Sequence, residues 1–156
     1  MQLSPSKLLV GGALKVVILM IVGVVLQGRE AAERAQVTIN DEVLSVRVAD
    51  NAWEQKRGLS GLEAADVNAQ GMLFVFKDER VRDFWMKDMK LDLDVLWIRD
   101  NKIVSLDSDV KAPKPGEEPV HMTSEPVPVD MVLELPAGYA ARFDLIAGTS
   151  LKIELP

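Results

Sequence analysis

The stretch GMLFVFKDERVRDFWMKDMKLDLDVLWIR, residues 71–99, constrains the fold more than any other. It holds three of the four Phe and two of the three Trp, gathered into short runs that charged residues separate. Apolar-rich runs of four to six residues, with many β-branched and aromatic types, are too short for core helices and suit strands joined by solvated turns. Residues 72–76, 81–86 and 95–98 are therefore predicted as central strands.

The flanking sequence follows the same pattern. Residues 36–49 form two apolar-rich runs around Asn40-Asp41, a dipeptide that tolerates the positive φ of a tight hairpin turn. Asp50 or Asn51 is placed to cap a short helix over 52–57, which Gly58 stops. Asp100-Asn101 marks a second hairpin into a strand at 102–106. Residues 107–128 contain five of the eight Pro and no apolar period, which predicts a long loop. Strands return at 129–135 and 151–155, with a helical turn between them after Gly138. About eight short strands and one or two short helices predict a mainly β domain, a compact sandwich or barrel.

Ahead of this domain, residues 8–26 read LLVGGALKVVILMIVGVVL, interrupted only by Lys15 and long enough to cross a bilayer as a helix. The organisation predicted is a signal anchor or signal peptide over 1–28, a linker over 29–35 and a domain over 36–156. Lys7 lies before the apolar run, and Arg29, Glu30, Glu33 and Arg34 follow it. That bias places the domain outside the cytoplasm, either tethered through 8–26 or released as a secreted or periplasmic form after cleavage.

Charge narrows the partners. Residues 29–156 carry 16 basic and 24 acidic groups with no Lys/Arg cluster, which argues against nucleic acid. The chain has no Cys, so disulfides, thiolate nucleophiles and cysteine-bound metals are excluded.

The motifs point to chemistry unevenly. Gly58-Leu59-Ser60-Gly61 lacks the fifth-position Gly of a nucleophile elbow and reads as a turn. Asp92 and Asp94 are two apart, so on a strand both would face one side, as a hard-cation or acid/base pair would require. Met86, Met89, His121 and Met122 are ligand types that copper accepts, although Met also fills irregular core gaps. Trp85 and Trp97 are suited either to stacking on a sugar or a partner's side chain or to the core.

Taken together, RGL at 57–59, GMLFVF at 71–76, FWMK at 84–87, LDVLWI at 93–98, LELPAG at 133–138 and Gly148 resemble, in order and spacing, the DUF192 family of bacterial and archaeal proteins. The resemblance covers about residues 36–155 and implies a mainly β domain of a family without an established activity. The polar residues that match its pattern are Arg57, Lys87, Asp94 and Glu134; Asp92 stands where that pattern has Pro.

The function expected is a non-enzymatic, membrane-anchored or exported domain that binds a small molecule or an envelope partner. Arg57, Trp85, Lys87, Asp94 and Trp97 are its candidate ligand-binding residues, the last four as one edge; no catalytic residue, metal site or cofactor is assigned. The alternative is a divalent-cation-dependent hydrolase acting on envelope material through Asp92 and Asp94. In a purely structural reading, Lys87 and Asp94 would be buried partners.

Overall fold

A computed structural model describes residues 33–63, 67 and 71–156. The apolar run at 8–26 lies outside the described residues; among those described, no helix is long and apolar enough to cross a membrane.

Both hairpin turns form at the predicted dipeptides. Asn40, Asp41, Asp100 and Asn101 all have positive φ, between 45° and 69°, the geometry that matches a two-residue turn to the twist of its strands. The first turn joins β1 (Arg34–Ile39) to β2 (Glu42–Ala49), and the second joins β5 (Leu93–Arg99) to β6 (Lys102–Val110). Between β2 and β3 (Met72–Arg80) lies helix α1 (Ala52–Arg57). Asn51 is its cap: Oδ1 accepts from the Glu54 amide at 3.1 Å, and Nδ2 donates to Glu54 Oε2 at 2.7 Å.

Seven strands form one sheet in the order β6-β5-β8-β3-β2-β1-β9, with β8 at Val129–Pro136 and β9 at Lys152–Glu154. All neighbours are antiparallel except β2 and β3. The domain is mainly β, and the sheet curls into a half-barrel; among the described residues no second large sheet stacks on it as a sandwich would require. The curl brings the start of β6 against the chain entering β9. There the Ile103 amide donates to the Thr149 carbonyl at 3.0 Å, and the Leu151 amide to the Asn101 carbonyl at 2.8 Å.

Side-chain alternation divides the apolar residues into two cores. The inner one takes Val37, Val46, Leu73, Leu96, Ile98 and Leu133 from the sheet, and Ala140 and Phe143 from helix α2 (Tyr139–Arg142) and its end. The outer one takes Phe74, Val95, Trp97 and Val132 from the other face of β3, β5 and β8. Leu59, Val67, Met86, Met89 and Met122 cover them. Burial on both faces explains why six consecutive residues of β5, Leu93 to Ile98, are buried.

Two expectations are corrected. The run at 81–86 is not a central strand: only Asp83–Trp85 (β4) is extended, and it pairs with His121–Thr123 (β7) in a separate ribbon. Nor is 107–128 one loop, because β6 continues to Val110 and β7 lies within the interval. Prolines obscure β7 in the sequence, since its two neighbours in the chain, 113–119 and 126–128, carry all five of them.

Candidate ligand-binding cleft

The ribbon exists because one of its faces is buried. Phe84 packs edge-on against Phe74 and Trp97, with ring centroids 4.9 and 5.5 Å apart, and Met122 is buried opposite it. Alternation then turns Trp85 and its cross-strand neighbour His121 outward, with rings 5.8 Å apart. Trp85 remains 49% exposed. The next turn places the Lys87 ammonium 5.0 Å from the centre of the Trp85 ring, within cation–π range.

This turn is fixed on three sides. Met86 and Met89 are buried in the outer core, and the Met86 amide donates to the Val120 carbonyl at 2.9 Å. From below, Ser60 Oγ donates to the Lys87 carbonyl and the Gly61 amide to the Asp88 carbonyl, each at 2.8 Å. The GLSG segment is a turn, as predicted, and it supports a partner 27 residues away. Across from Trp85, a wall at 113–119 carries three Pro, and its reversal is closed by Glu117. The Glu117 amide donates to the Lys114 carbonyl at 2.9 Å, while its Oε2 accepts from the Lys114 amide at 3.0 Å. Between turn and wall lies an open cleft of about 620 Å³, within the size range of small-molecule sites.

Charge in the cleft is unevenly compensated. Lys90 is paired with Glu63 at 2.6 Å, and Lys114 stands 4.0 Å from Glu117. Lys87 makes no ion pair with any carboxylate among the described residues; the Trp85 ring is its neighbour.

The five predicted ligand-binding residues do not form one surface. Trp85 and Lys87 meet in the cleft. Trp97 is 1% exposed in the outer core, and its Nε1 donates to Asp107 Oδ2 at 2.7 Å. Asp94 is also 1% exposed and lies on the opposite, inner face. Its Oδ1 accepts from the Asp109 amide at 2.8 Å and its Oδ2 from the Ala140 amide at 2.7 Å. It thereby holds the irregular end of β6 and the first turn of α2. Arg57 ends α1, with its guanidinium 5.3 Å from the Trp53 ring, and does not line the cleft. The edge predicted from Trp85, Lys87, Asp94 and Trp97 is thus corrected: alternation along β5 sends Asp94 and Trp97 to opposite faces, while Trp85 and Lys87 belong to the separate ribbon and the turn that follows it. Lys87 is exposed, so it is not a buried partner of Asp94 either.

Asp92 and Asp94 are likewise occupied separately. Asp92 accepts from the Ala112 amide at 2.8 Å and from Lys111 Nζ at 3.0 Å, and these donors hold its carboxyl below the usual range. Among the described residues, no group of three or more His, Cys, Asp or Glu is placed to hold a metal ion. Of the residue types copper accepts, Met86, Met89 and Met122 pack into the outer core and His121 faces outward beside Trp85.

Glu134 behaves differently. It lies on β8 between Met72 and Val95 and is 6% exposed. Its Oε2 has no hydrogen-bonding partner among the described residues. Burial alone pushes its pKa from the ordinary 4.5 to about 8, so it is mostly protonated at neutral pH.

The sequence profile of the uncharacterised ACR family DUF192 matches residues 35–153. The chain belongs to the DUF192 family. Two crystal structures share the DUF192 domain's fold. A candidate transcription regulator from Sinorhizobium meliloti 1021 aligns with TM-score 0.60 and 30% identity over 77% of this chain and 92% of its own. A protein of unknown function from Novosphingobium aromaticivorans DSM 12444 aligns with TM-score 0.58 and 25% identity, over 76% and 83% respectively. No curated protein matches. Of the polar positions that fit the DUF192 pattern, only Lys87 lines the cleft; Arg57 ends a helix, and Asp94 and Glu134 lie in the sheet. At the position where that pattern has Pro, Asp92 accepts the two bonds described above.

Proposed function

We propose that this DUF192 protein is a non-enzymatic binding module of the cell envelope. The apolar segment at 8–26 tethers the domain outside the cytoplasm, and the cleft beside Trp85 receives a small ring-bearing ligand such as a sugar. The observation that carries this reading is a half-exposed indole at the mouth of a cleft of about 620 Å³, with an ammonium over its ring. An apolar ring left in solvent lacks a folding role of its own size, and stacking on a sugar or aromatic face would cover it. The wall at 113–119 and the anchored turn hold the two sides in place before a ligand arrives, which lowers the ordering cost of binding.

Calorimetric titration of the full chain in detergent with a panel of mono- and disaccharides tests the site. Binding by the wild type that Trp85→Ala abolishes, with an unchanged melting temperature, is the expected result. A panel that binds equally well to the variant would remove Trp85 from the site. Membrane fractionation, with protease added to intact spheroplasts, tests the tether: a domain that is digested only after lysis would place it on the cytoplasmic side.

A further inference from the structure

We infer, on the strength of the cleft reading above, that the ligand is a sugar ring carrying a single carboxylate, and that Lys87 selects that charge. Lysines and carboxylates line the cleft in equal numbers: Lys87, Lys90 and Lys114 against Asp88, Glu117 and Glu118. Lys90 and Lys114 already have Glu63 and Glu117 beside them. Lys87 is left to recruit a negative group from outside.

Its position ties charge to stacking. With the ammonium 5.0 Å from the ring centre, one face of Trp85 is covered by a cation. A ligand carboxylate offers that cation a stronger, charge-assisted hydrogen bond and draws it off the ring as the sugar face arrives. A neutral sugar that displaces the ammonium offers it only uncharged oxygen acceptors, whose hydrogen bonds are weaker. At the same time, Asp88, Glu117 and Glu118 repel any ligand that brings a row of negative charges. The cleft therefore fits one anionic group on an otherwise neutral ring, and disfavours polyphosphate, nucleic acid or a polyuronate chain.

The test is titration of the full chain in detergent with glucuronate, glucose, acetate and a tetragalacturonate. Glucuronate should bind about tenfold tighter than glucose, the usual return on one charge-assisted hydrogen bond. Acetate, which has the charge without the ring, and tetragalacturonate should both bind more weakly than glucuronate. Lys87→Gln should bind glucuronate and glucose alike, and raised salt should erase the wild-type preference. Equal wild-type binding of the two sugars, or a preference that survives Lys87→Gln, overturns the charge selection while leaving a Trp85-dependent cleft in place. Failure of every sugar to bind the wild type overturns the cleft reading as well. Tightest binding by the tetramer would overturn the single-charge limit alone.

Discussion

Asp94 and Glu134 are two buried carboxylates one register step apart on neighbouring strands, and the fold treats them in opposite ways. Asp94 pairs in register with Leu135, and Glu134 with Val95. Each is almost fully covered. Yet Asp94 faces the inner core and accepts two backbone N–H groups, while Glu134 faces the outer core, where its Oε2 meets no donor among the described residues. The first is a joint that ties β6 and α2 to β5. The second is a carboxyl that avoids its charge by keeping its proton. Burial by itself does not tell these states apart; the donors around the carboxylate do.

The largest effect separating the two should appear in pH dependence. Glu134 has a folded pKa of about 8, above its ordinary 4.5, so the native state holds a proton that the unfolded state releases between these values. Its contribution is complete below about pH 4.5 and is lost as pH rises through about 8. In urea unfolding at a series of pH values, Glu134→Gln should gain on the wild type by about 1.4 kcal/mol per pH unit across that window, on the order of 5 kcal/mol in all. Parallel wild-type and variant curves would mean that Glu134 is ionised in the fold, and the contrast with Asp94 would collapse.

Next in size is Asp94→Ala. It strands the Ala140 and Asp109 amides and should lower stability by roughly 3 kcal/mol at neutral pH. A loss under about 1 kcal/mol would show that water replaces the carboxylate readily, and the joint would be dispensable. Gly71→Ala probes the backbone beside Glu134. Gly71 has φ +93°, and an added Cβ would collide with the Glu134 carbonyl oxygen of the paired strand. A loss of about 2 kcal/mol, seen as a lower urea midpoint, is expected there; a neutral result would mean that β3 and β8 can move apart at this end. The smallest change is Asp92→Asn. This carboxylate is partly exposed, and solvent screens its pairing with Lys111, so stability should change by less than about 1 kcal/mol. Its lowered pKa gives that contribution above the ordinary carboxylate range and removes it as pH falls. An effect as large as that of Asp94 would show that exposure does not set the ranking of these acids.

Much of the local structure was legible because its causes are local. Asn40-Asp41 and Asp100-Asn101 adopt positive φ wherever a two-residue hairpin needs it, and Asn51 caps whatever helix begins after it. Met86, read as core filling as well as a copper-type ligand, is in the core. The six motif blocks also led to the DUF192 family that the profile match shows. The site was less legible. Trp85 and Trp97 look equivalent in sequence, but one belongs to a ribbon with a single buried face and the other to a strand buried on both. Ser60 bonds a carbonyl 27 residues away, and no short-range pattern signals that.

The sequence by itself determined the mainly β character, the hairpins, the helix stops and an apolar segment of spanning length, because each depends on residues within a few positions of one another. Tertiary structure decided which face each alternating residue meets. The curl of one sheet creates an inner face where Asp94 finds two amides and an outer face where Glu134 Oε2 meets no donor among the described residues. The ribbon laid over that outer face leaves Trp85 and Lys87 at a cleft wall. Those outcomes depend on strands far apart in the chain arriving side by side, so the free energy that sorts the faces exists only once the sheet has closed.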